Sequence, residues 1–121
     1  MRQRSDLDSV VETIVVDAYG DDEQYVAFLT VIEEETQLPA EATLLGAPVT
    51  VTGFDYTNEA RGLVTICEGS NGTGEVALAD LAFPPDTVTA WIHAAYRHYL
   101  GLQPFPVRPG PVRAWPGRER L

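Results

Sequence analysis

The stretch YVAFLTVIEEETQLPAEATLLGAPVTVT, residues 25–52, decides the fold class, because the spacing of its apolar residues changes at Pro39. Before Pro39 the apolar residues recur every three or four positions, which predicts an amphipathic helix. After it, residues 49–52 alternate apolar and polar side chains with a period of two, which predicts a strand. Proline cannot continue a helix, so we place the boundary between the two regions here. The buried face of the predicted helix carries Tyr25, Phe28, Leu29 and Ile32.

A second amphipathic helix is predicted upstream. Ser5 is a candidate N-cap, with Asp8 three positions later in place of the Glu of a capping box. Gly20 ends this helix, and Asp21 is the candidate cap of the next one. Because only a short link separates the two helices, we expect an antiparallel helical hairpin in which Asp6 and Asp8 approach residues 33–35 and Asp17 joins residues 21–23. The predicted buried positions of the first helix are Leu7, Val10, Val11, Ile14 and Ala18.

Short strands and tight turns follow Pro39. Strands are predicted at residues 43–45, 49–52, 63–67 and 75–78. The glycine-rich run at residues 69–74 is typical of a hairpin connection. Three or four such strands predict a small antiparallel sheet, either open or closed into an SH3-like barrel. The predicted order, two helices, then strands, then a helix, is that of an α+β domain.

A third helix and a tail complete the chain. Asp86 is the candidate cap of this helix, and His93 and His98 are expected on its surface. Its predicted apolar face carries Val88, Trp91, Ile92, Ala95 and Tyr99. Residues 103–121 are rich in Pro and Arg and show no periodicity, which predicts a disordered basic tail. We therefore expect one α+β domain over residues 1–102, followed by this tail.

Composition limits the partners. The formal net charge of −10 and the sequence pI near 4.4 argue against binding to nucleic acid or to an anionic membrane. Cys67 is the single cysteine, so the chain can form neither an internal disulfide nor a Cys-type zinc site. An acidic stretch, not an apolar one, follows the basic N-terminus, and we therefore expect no signal peptide and a cytoplasmic protein.

Negative charge is concentrated in the first half of the chain. Residues 5–60 contain 13 carboxylates and no Arg, and the whole chain contains no Lys. One acidic cluster precedes and opens the second helix, and it comprises Asp17, Asp21, Asp22 and Glu23. The other lies in the last turns of the same helix and comprises Glu33, Glu34 and Glu35. Crowded carboxylates repel one another, so either water screens them or a cation binds them.

The helix dipole distinguishes the two clusters. Carboxylates at a helix N-terminus are stabilised by about 0.3–1 kcal/mol each, whereas those at a C-terminus are disfavoured. Residues 33–35 therefore lack a structural reason for their charge, and a bound cation would supply one. Asp21 and Glu33 are about 18 Å apart at 1.5 Å per helical residue, which predicts two separate sites. Oxygen-only ligands suit Ca²⁺. The spacing is not that of an EF-hand, because position 12 counted from Asp17 is Phe28.

Patterns typical of enzymes are not found in the sequence. Its glycine-rich run lacks Lys and lies between predicted strands, unlike a phosphate-binding loop. Cys67 falls inside an apolar strand, where a thiol is expected to be packed. His93 and His98 are five residues apart and do not make the i, i+4 pair of a helical zinc site. We therefore expect a protein that is not an enzyme.

One family shares part of this pattern. The segments VVDAYGDDEQ at residues 15–24, IEE at 32–34 and LP at 38–39 resemble the small bacterial calcium-binding proteins of the CcbP type. Members of that family are acidic Ca²⁺ buffers or regulators without EF-hands. The likeness is good over residues 15–39 and holds in outline over residues 49–81. It implies ligands in the first acidic block, at Asp17, Asp22 and Glu23, and in a second pair, at Glu33 and Glu34. Glu34 stands where the family has Asp, which lengthens that ligand arm.

Two functional hypotheses follow. The first is a calcium-binding protein that uses both carboxylate clusters of the helical hairpin as ligands. The alternative is an acidic protein-interaction module that docks on a basic partner without any metal, with the Arg/Pro tail as a second contact.

Overall fold

The computed structural model describes residues 2–107, with side chains from residue 7 onward. The helices are α1 (Arg2–Val15), α2 (Asp21–Glu35) and α3 (Val88–Tyr99). The strands are β1 (Ala40–Leu44), β2 (Ala47–Tyr56), β3 (Leu63–Gly69), β4 (Gly72–Ala77) and β5 (Leu81–Ala82), with a 3₁₀ turn at Leu78–Asp80. Two helices, an antiparallel sheet and a third helix follow in the predicted order, which confirms the α+β class. Within residues 2–107, none of the helices combines the length and apolar composition needed to cross a bilayer.

The five strands form one antiparallel sheet in the order β4-β3-β2-β1-β5. Strands β1 to β4 are a meander, and β5 returns to β1, where Thr43 pairs with Ala82 and Leu44 with Leu81. The register between β2 and β3 shifts at Val51–Gly53. Such a bulge bends the strand and increases its twist, so β2 curves where it passes the helices.

The boundaries of the first two helices differ from the prediction. Helix α1 already begins at Arg2 and ends at Val15, so Ser5 lies inside it and is not its cap. The N-cap of α2 is Gly20, and Asp21 is the first helical residue. Gly20 has a φ of 94°, in the left-handed region that glycine adopts without strain. The sharp turn into α2 therefore depends on glycine, and Asp21 is left free to face outward.

The predicted apolar face of α1 is confirmed within that helix. Leu7, Val10 and Ile14 are buried, and Val11 packs against the same core. Ala18 lies beyond the end of α1.

Helix α3 lies at the centre of the core. Its predicted apolar residues Trp91, Ile92 and Ala95 are buried, but so is every other residue from position 89 to 96. The predicted surface position of His93 is therefore wrong, since this side chain is only 2% exposed. The burial extends around α3 because α1, α2 and the 3₁₀ turn all pack against it.

The cap of α3 also differs from the prediction. Thr87, not Asp86, is the N-cap, and its Oγ1 accepts a hydrogen bond from the backbone N–H of Ala90 at 3.1 Å. The extended backbone of Thr87 places its short side chain over the first turn, which is the geometry an N-cap requires.

Hydrogen bonds at both ends show that α2 and α3 are antiparallel. The hydroxyls of Thr36 and Thr89 lie 2.7 Å apart at one end, and the Tyr99 hydroxyl donates to Gln24 Oε1 at 2.7 Å at the other. Asp8 of α1 contacts the last turn of α3, where its Oδ1 is 2.6 Å from His98 Nε2. The expected approach of Asp8 to residues 33–35 is therefore wrong.

The predicted tail begins to pack before it leaves the described part of the chain. The Arg97 guanidinium donates to the carbonyl oxygens of Gln103 at 2.7 Å and Ala79 at 2.6 Å. Phe105 stacks against His93, with the ring centres 5.5 Å apart. Packing contacts therefore reach Val107, five residues beyond the predicted domain boundary. The remainder of the predicted disordered tail, residues 108–121, lies outside the described residues.

The Tyr96 hydroxyl joins α3 to the sheet. It accepts a hydrogen bond of 2.8 Å from the backbone N–H of Leu63, and both groups are buried. Tyr96→Phe would leave this N–H without an acceptor, so we expect the free energy of unfolding to fall by about 1–3 kcal/mol. Urea denaturation measures the loss. Tyr19→Phe is the matched control, since Tyr19 is 78% exposed, and it should change stability by less than about 0.5 kcal/mol. Equal stability of the two variants would contradict this account.

His93 is held neutral inside the core. Its Nε2 lies 2.9 Å from the carbonyl oxygen of Leu78, to which it donates, and its ring packs between Phe83 and Phe105. Burial lowers the pKa of His93 to about 4; the hydrogen bond to Leu78 opposes the shift, and the charge of Arg97 adds to it. Protonation is therefore easier in the unfolded chain, where the histidine pKa is about 6.5.

This difference predicts a pH dependence of stability. The unfolded state takes up the proton between pH 6.5 and pH 4, so the contribution of neutral His93 is complete above pH 6.5 and is lost as the pH falls through this range. Relative to a His93→Gln variant, the protein should lose up to about 3 kcal/mol of unfolding free energy between pH 7 and pH 4. Urea denaturation of both proteins across this range tests the difference, and a constant difference would contradict the shift.

Candidate cation-binding surface

Five aromatic side chains join α2, α3 and β2: Tyr25, Phe28, Tyr56, Tyr96 and Tyr99. Tyr25 stacks on Tyr56, with ring centres 5.2 Å apart and an angle of 13° between the planes. It also meets Tyr96 and Tyr99 edge to face, at 6.3 Å and 5.8 Å. Offset stacking and edge-to-face contacts are the favourable arrangements of aromatic pairs. Tyr25 thus fixes the N-terminal half of α2 against the sheet and against α3.

Two tyrosine hydroxyls hold the first turns of α2. The Tyr56 hydroxyl donates to Oδ1 of Asp22, and the Tyr99 hydroxyl donates to Oε1 of Gln24. Both acceptors are side-chain oxygens on the first four residues of the helix. A carboxylate oxygen and an amide oxygen of α2 thus accept hydrogen bonds from uncharged hydroxyls. Both acceptors lie near the N-terminus of the helix, which is the positive end of its dipole.

Carboxylates from two regions of the chain act on the tyrosines. The hydrogen bond to Asp22 is the main cause that raises the pKa of Tyr56, with burial and Glu59 adding to it. Burial, followed by the negative charges of Glu59 and Asp21, raises the pKa of Tyr25. Glu59 lies in the loop between β2 and β3, so the fold brings an acid from the sheet to the start of α2.

Tyr99 belongs to the same group, because burial and then the charges of Asp21 and Glu59 raise its pKa. The three carboxylates are exposed, whereas Tyr25 is buried and Tyr56 and Tyr99 are half-buried. We name this set the acidic tyrosine surface, and its members are Asp21, Asp22, Glu59, Tyr25, Tyr56 and Tyr99. This surface offers carboxylate and hydroxyl oxygens together with aromatic rings, and its three carboxylates make it negatively charged.

Basic side chains do not neutralise this surface. Among the side chains of residues 7–107, Arg61 pairs with Glu75 and His98 pairs with Asp8, each at 2.6 Å, and no other acidic residue there has a basic partner. Arg61 is only two residues from Glu59, but it is directed to β4 instead. All three carboxylates of the acidic tyrosine surface are thus without a counter-ion in this part of the chain.

The first predicted cluster is only partly brought together. Asp21 and Asp22 lie in the acidic tyrosine surface. Asp17 and Glu23 are exposed, on the link and on the first turn of α2, and they contribute to none of the tyrosine pKa shifts. The acidic tyrosine surface therefore contains two of the four predicted residues, together with Glu59.

The second predicted cluster does not form a pocket. Glu33 and Glu34 are exposed to solvent, and Glu35 is half-buried. Water screens exposed carboxylates, so the electrostatic penalty expected at this end of α2 is small. The surroundings of residues 33–35 therefore do not require a bound cation, contrary to the expectation from the sequence.

A ready-made calcium centre is not present in the described residues. No group of three or more His, Cys, Asp or Glu side chains among them is close enough together to hold a metal ion. Asp22, the central acid of the acidic tyrosine surface, is already engaged by Tyr56. Any ion bound here would be held by one or two carboxylates, with water completing its coordination.

Glu59 and Tyr56 are the members of the surface that the sequence did not indicate, and Tyr25 and Tyr99 were expected only as core residues. Glu59 is separated from Asp21 by 38 positions, and no short motif connects them. The loop that carries Glu59 is closed by Asn58, which accepts hydrogen bonds from the N–H groups of Arg61 and Gly62. The Asn58-Glu59 pair after a predicted strand indicates a turn, but nothing in it indicates which surface the turn approaches.

Comparison with known proteins adds no further constraint. No family model, no curated protein and no solved structure matches this chain. The acidic tyrosine surface and the resemblance to the CcbP-type proteins are therefore the two indications of function.

Proposed function

We propose that this protein is a non-enzymatic calcium-binding domain of the cytoplasm, and that Ca²⁺ binds at the acidic tyrosine surface. One observation carries the proposal: Glu59 acts on Tyr56 together with Asp22 and on Tyr25 and Tyr99 together with Asp21, and none of the three carboxylates has a basic partner among the side chains of residues 7–107. A divalent cation placed there would reduce the repulsion among three carboxylates at once. The resemblance to the CcbP-type proteins points to the same ion.

The chemistry of Ca²⁺ suits such a surface. The ion takes six to eight oxygen ligands in irregular geometry and accepts water among them. One or two of the three carboxylates would bind the ion directly, and Asp22, whose Oδ1 is engaged by Tyr56, would do so only through its second oxygen. With so few protein ligands and an exposed position, we expect a dissociation constant of about 10⁻⁴–10⁻³ M, at the weak end of natural sites.

Four of the remaining predicted ligands enter the proposal through the resemblance alone, namely Asp17, Glu23, Glu33 and Glu34. Glu35 enters it only as the last residue of the same acidic run. The exposed side chains of the last turns of α2 would hold a second, weaker ion, mostly through its hydration shell. We also propose that the sheet is SH3-like, since the return of β5 to β1 brings the ends of the meander towards closure.

Isothermal titration calorimetry with Ca²⁺ tests the position of the site. The double variant Asp21→Asn/Glu59→Gln should weaken binding by at least about tenfold, because it removes two of the three proposed carboxylates. The matched control is Glu33→Gln/Glu34→Gln, which removes the same charge from the other end of α2 and should retain the main binding event. If the control weakens binding and the first variant does not, the site is at residues 33–35. If millimolar Ca²⁺ gives neither heat nor a rise in melting temperature, calcium binding itself is contradicted.

A second candidate function is docking of a basic protein partner on the same surface. The positions of the tyrosine rings favour this candidate. The half-buried rings of Tyr56 and Tyr99 lie beside exposed carboxylates, and Tyr19, on the link before α2, is 78% exposed. An Arg side chain could pair with a carboxylate and stack on a tyrosine ring simultaneously, and each contact strengthens recognition.

Fluorescence anisotropy with a labelled Arg-rich peptide tests this candidate. We expect binding that weakens steeply with salt and does not change when a chelator is added. Tyr56→Leu should weaken it, whereas Tyr56→Phe, which keeps the ring, should not. Binding that needs calcium, or that is equal in the two Tyr56 variants, would contradict the second candidate.

A further inference from the structure

A cavity of about 470 Å³ lies beside β5 and the turn between β1 and β2. None of the described residues that line it belongs to the acidic tyrosine surface, so the two sites are independent. Its volume is within the range of about 300–1,000 Å³ that is typical of small-molecule sites. Most of its lining is apolar, and this part comprises Leu45, Ala82, Phe83, Pro85, Phe105 and Pro106.

The two phenylalanines of the wall are held in place from behind. Phe83 and Phe105 both pack on the ring of His93, at 5.6 Å and 5.5 Å between ring centres, and His93 is fixed by its hydrogen bond to Leu78. The Arg97 guanidinium lies over the Phe105 ring, 4.2 Å from its centre. The rings are thus positioned before a ligand arrives, which reduces the entropy lost on binding.

Leu45 extends the apolar wall beyond the edge of the sheet. It is 98% exposed and has a φ of 52°, followed by Gly46 with a φ of 82°. Asn is favoured over Leu at the first of two such positions in a hairpin turn. A leucine here therefore exposes apolar surface and strains the backbone, and contact with a bound molecule would give it a role.

Charge indicates what kind of molecule fits. Asp80 is the charged residue among the described lining residues, and it has no basic partner among the side chains of residues 7–107. Arg97 is directed to the backbone carbonyls of Gln103 and Ala79. His93 behind the wall adds no positive charge at neutral pH, because burial lowers its pKa to about 4. The carboxylate therefore favours a cationic group and disfavours an anionic one.

We propose that this cavity binds a small apolar amine, whose ammonium group pairs with Asp80 and whose apolar part lies against Phe83, Phe105 and Leu45. Asp80 is exposed, so the ammonium group keeps part of its hydration while the apolar part leaves water. The net charge of −10 also raises the concentration of cations near the protein.

Titrations of the full chain followed by backbone amide shifts test the ligand class. Phenethylammonium, phenethyl alcohol and phenylacetate carry the same ring on a short chain and differ in charge. Saturable shifts should appear at residues 43–46, 80–83 and 105, and affinity should fall from the amine to the alcohol to the carboxylate.

Asp80→Asn tests the ion pair. It should weaken amine binding by about fivefold, as expected for the loss of one charge-assisted contact, and leave alcohol binding within about twofold. The matched control is Glu12→Gln, which removes the same charge from an exposed position of α1 and should change neither affinity.

Leu45→Asn tests the apolar wall. Asn tolerates the positive φ, so the variant should stay folded and bind both the amine and the alcohol more weakly. Val16→Asn, which replaces another exposed apolar residue, should have no effect on either ligand.

Several results would overturn the proposal. These are phenylacetate binding as tightly as the amine, equal effects of Asp80→Asn and Glu12→Gln, and amine-induced shifts that appear at residues 21–24 and 56–60 instead. Lining amides that shift on dilution without ligand would make a second copy of the chain the occupant. Lining amides that respond to none of the three ligands would also contradict it.

Discussion

The burial of α3 is the constraint on which the other elements depend. Every residue from position 89 to 96 is buried, because α1, α2 and the 3₁₀ turn all pack against α3. A helix enclosed in this way must satisfy each polar group internally. Tyr96 does so by accepting from Leu63, and His93 by donating to Leu78. These two hydrogen bonds fix the rotation of α3 and its height above the sheet.

The position of α3 determines where the charges of α2 are presented. Tyr25 packs edge-on against the α3 tyrosines and flat against Tyr56 of β2, so the start of α2 is held between a helix and a strand. Asp21 and Asp22 in its first turn then lie beside the same group of tyrosines as Glu59. The acidic tyrosine surface is thus a consequence of core packing. At the opposite end of α2, Glu33 and Glu34 are exposed to solvent and Glu35 is half-buried.

The sequence predicted what depends on local periodicity and missed what depends on distant contacts. The apolar stripes of α1 and α2 and the alternation at residues 49–52 were sufficient for the α+β class. His93 was misplaced because its acceptor, the carbonyl of Leu78, and its ring partner Phe105 lie outside its own helix. The acidic runs were visible, but whether a carboxylate is crowded or solvated depends on tertiary neighbours. For this reason the sequence did not indicate Glu59, and it predicted a cation site at residues 33–35 that their surroundings do not require.

Our central proposal is that cations bind at the N-terminal end of α2, where Asp21, Asp22 and Glu59 lie around Tyr25, Tyr56 and Tyr99 without a basic partner among the side chains of residues 7–107. A calcium titration followed by backbone amide shifts in the full chain tests it most directly, because each amide reports its own surroundings. The account predicts the largest saturable shifts at residues 21–24 and 56–60. Shifts confined to residues 33–35, or none at millimolar Ca²⁺, would contradict it.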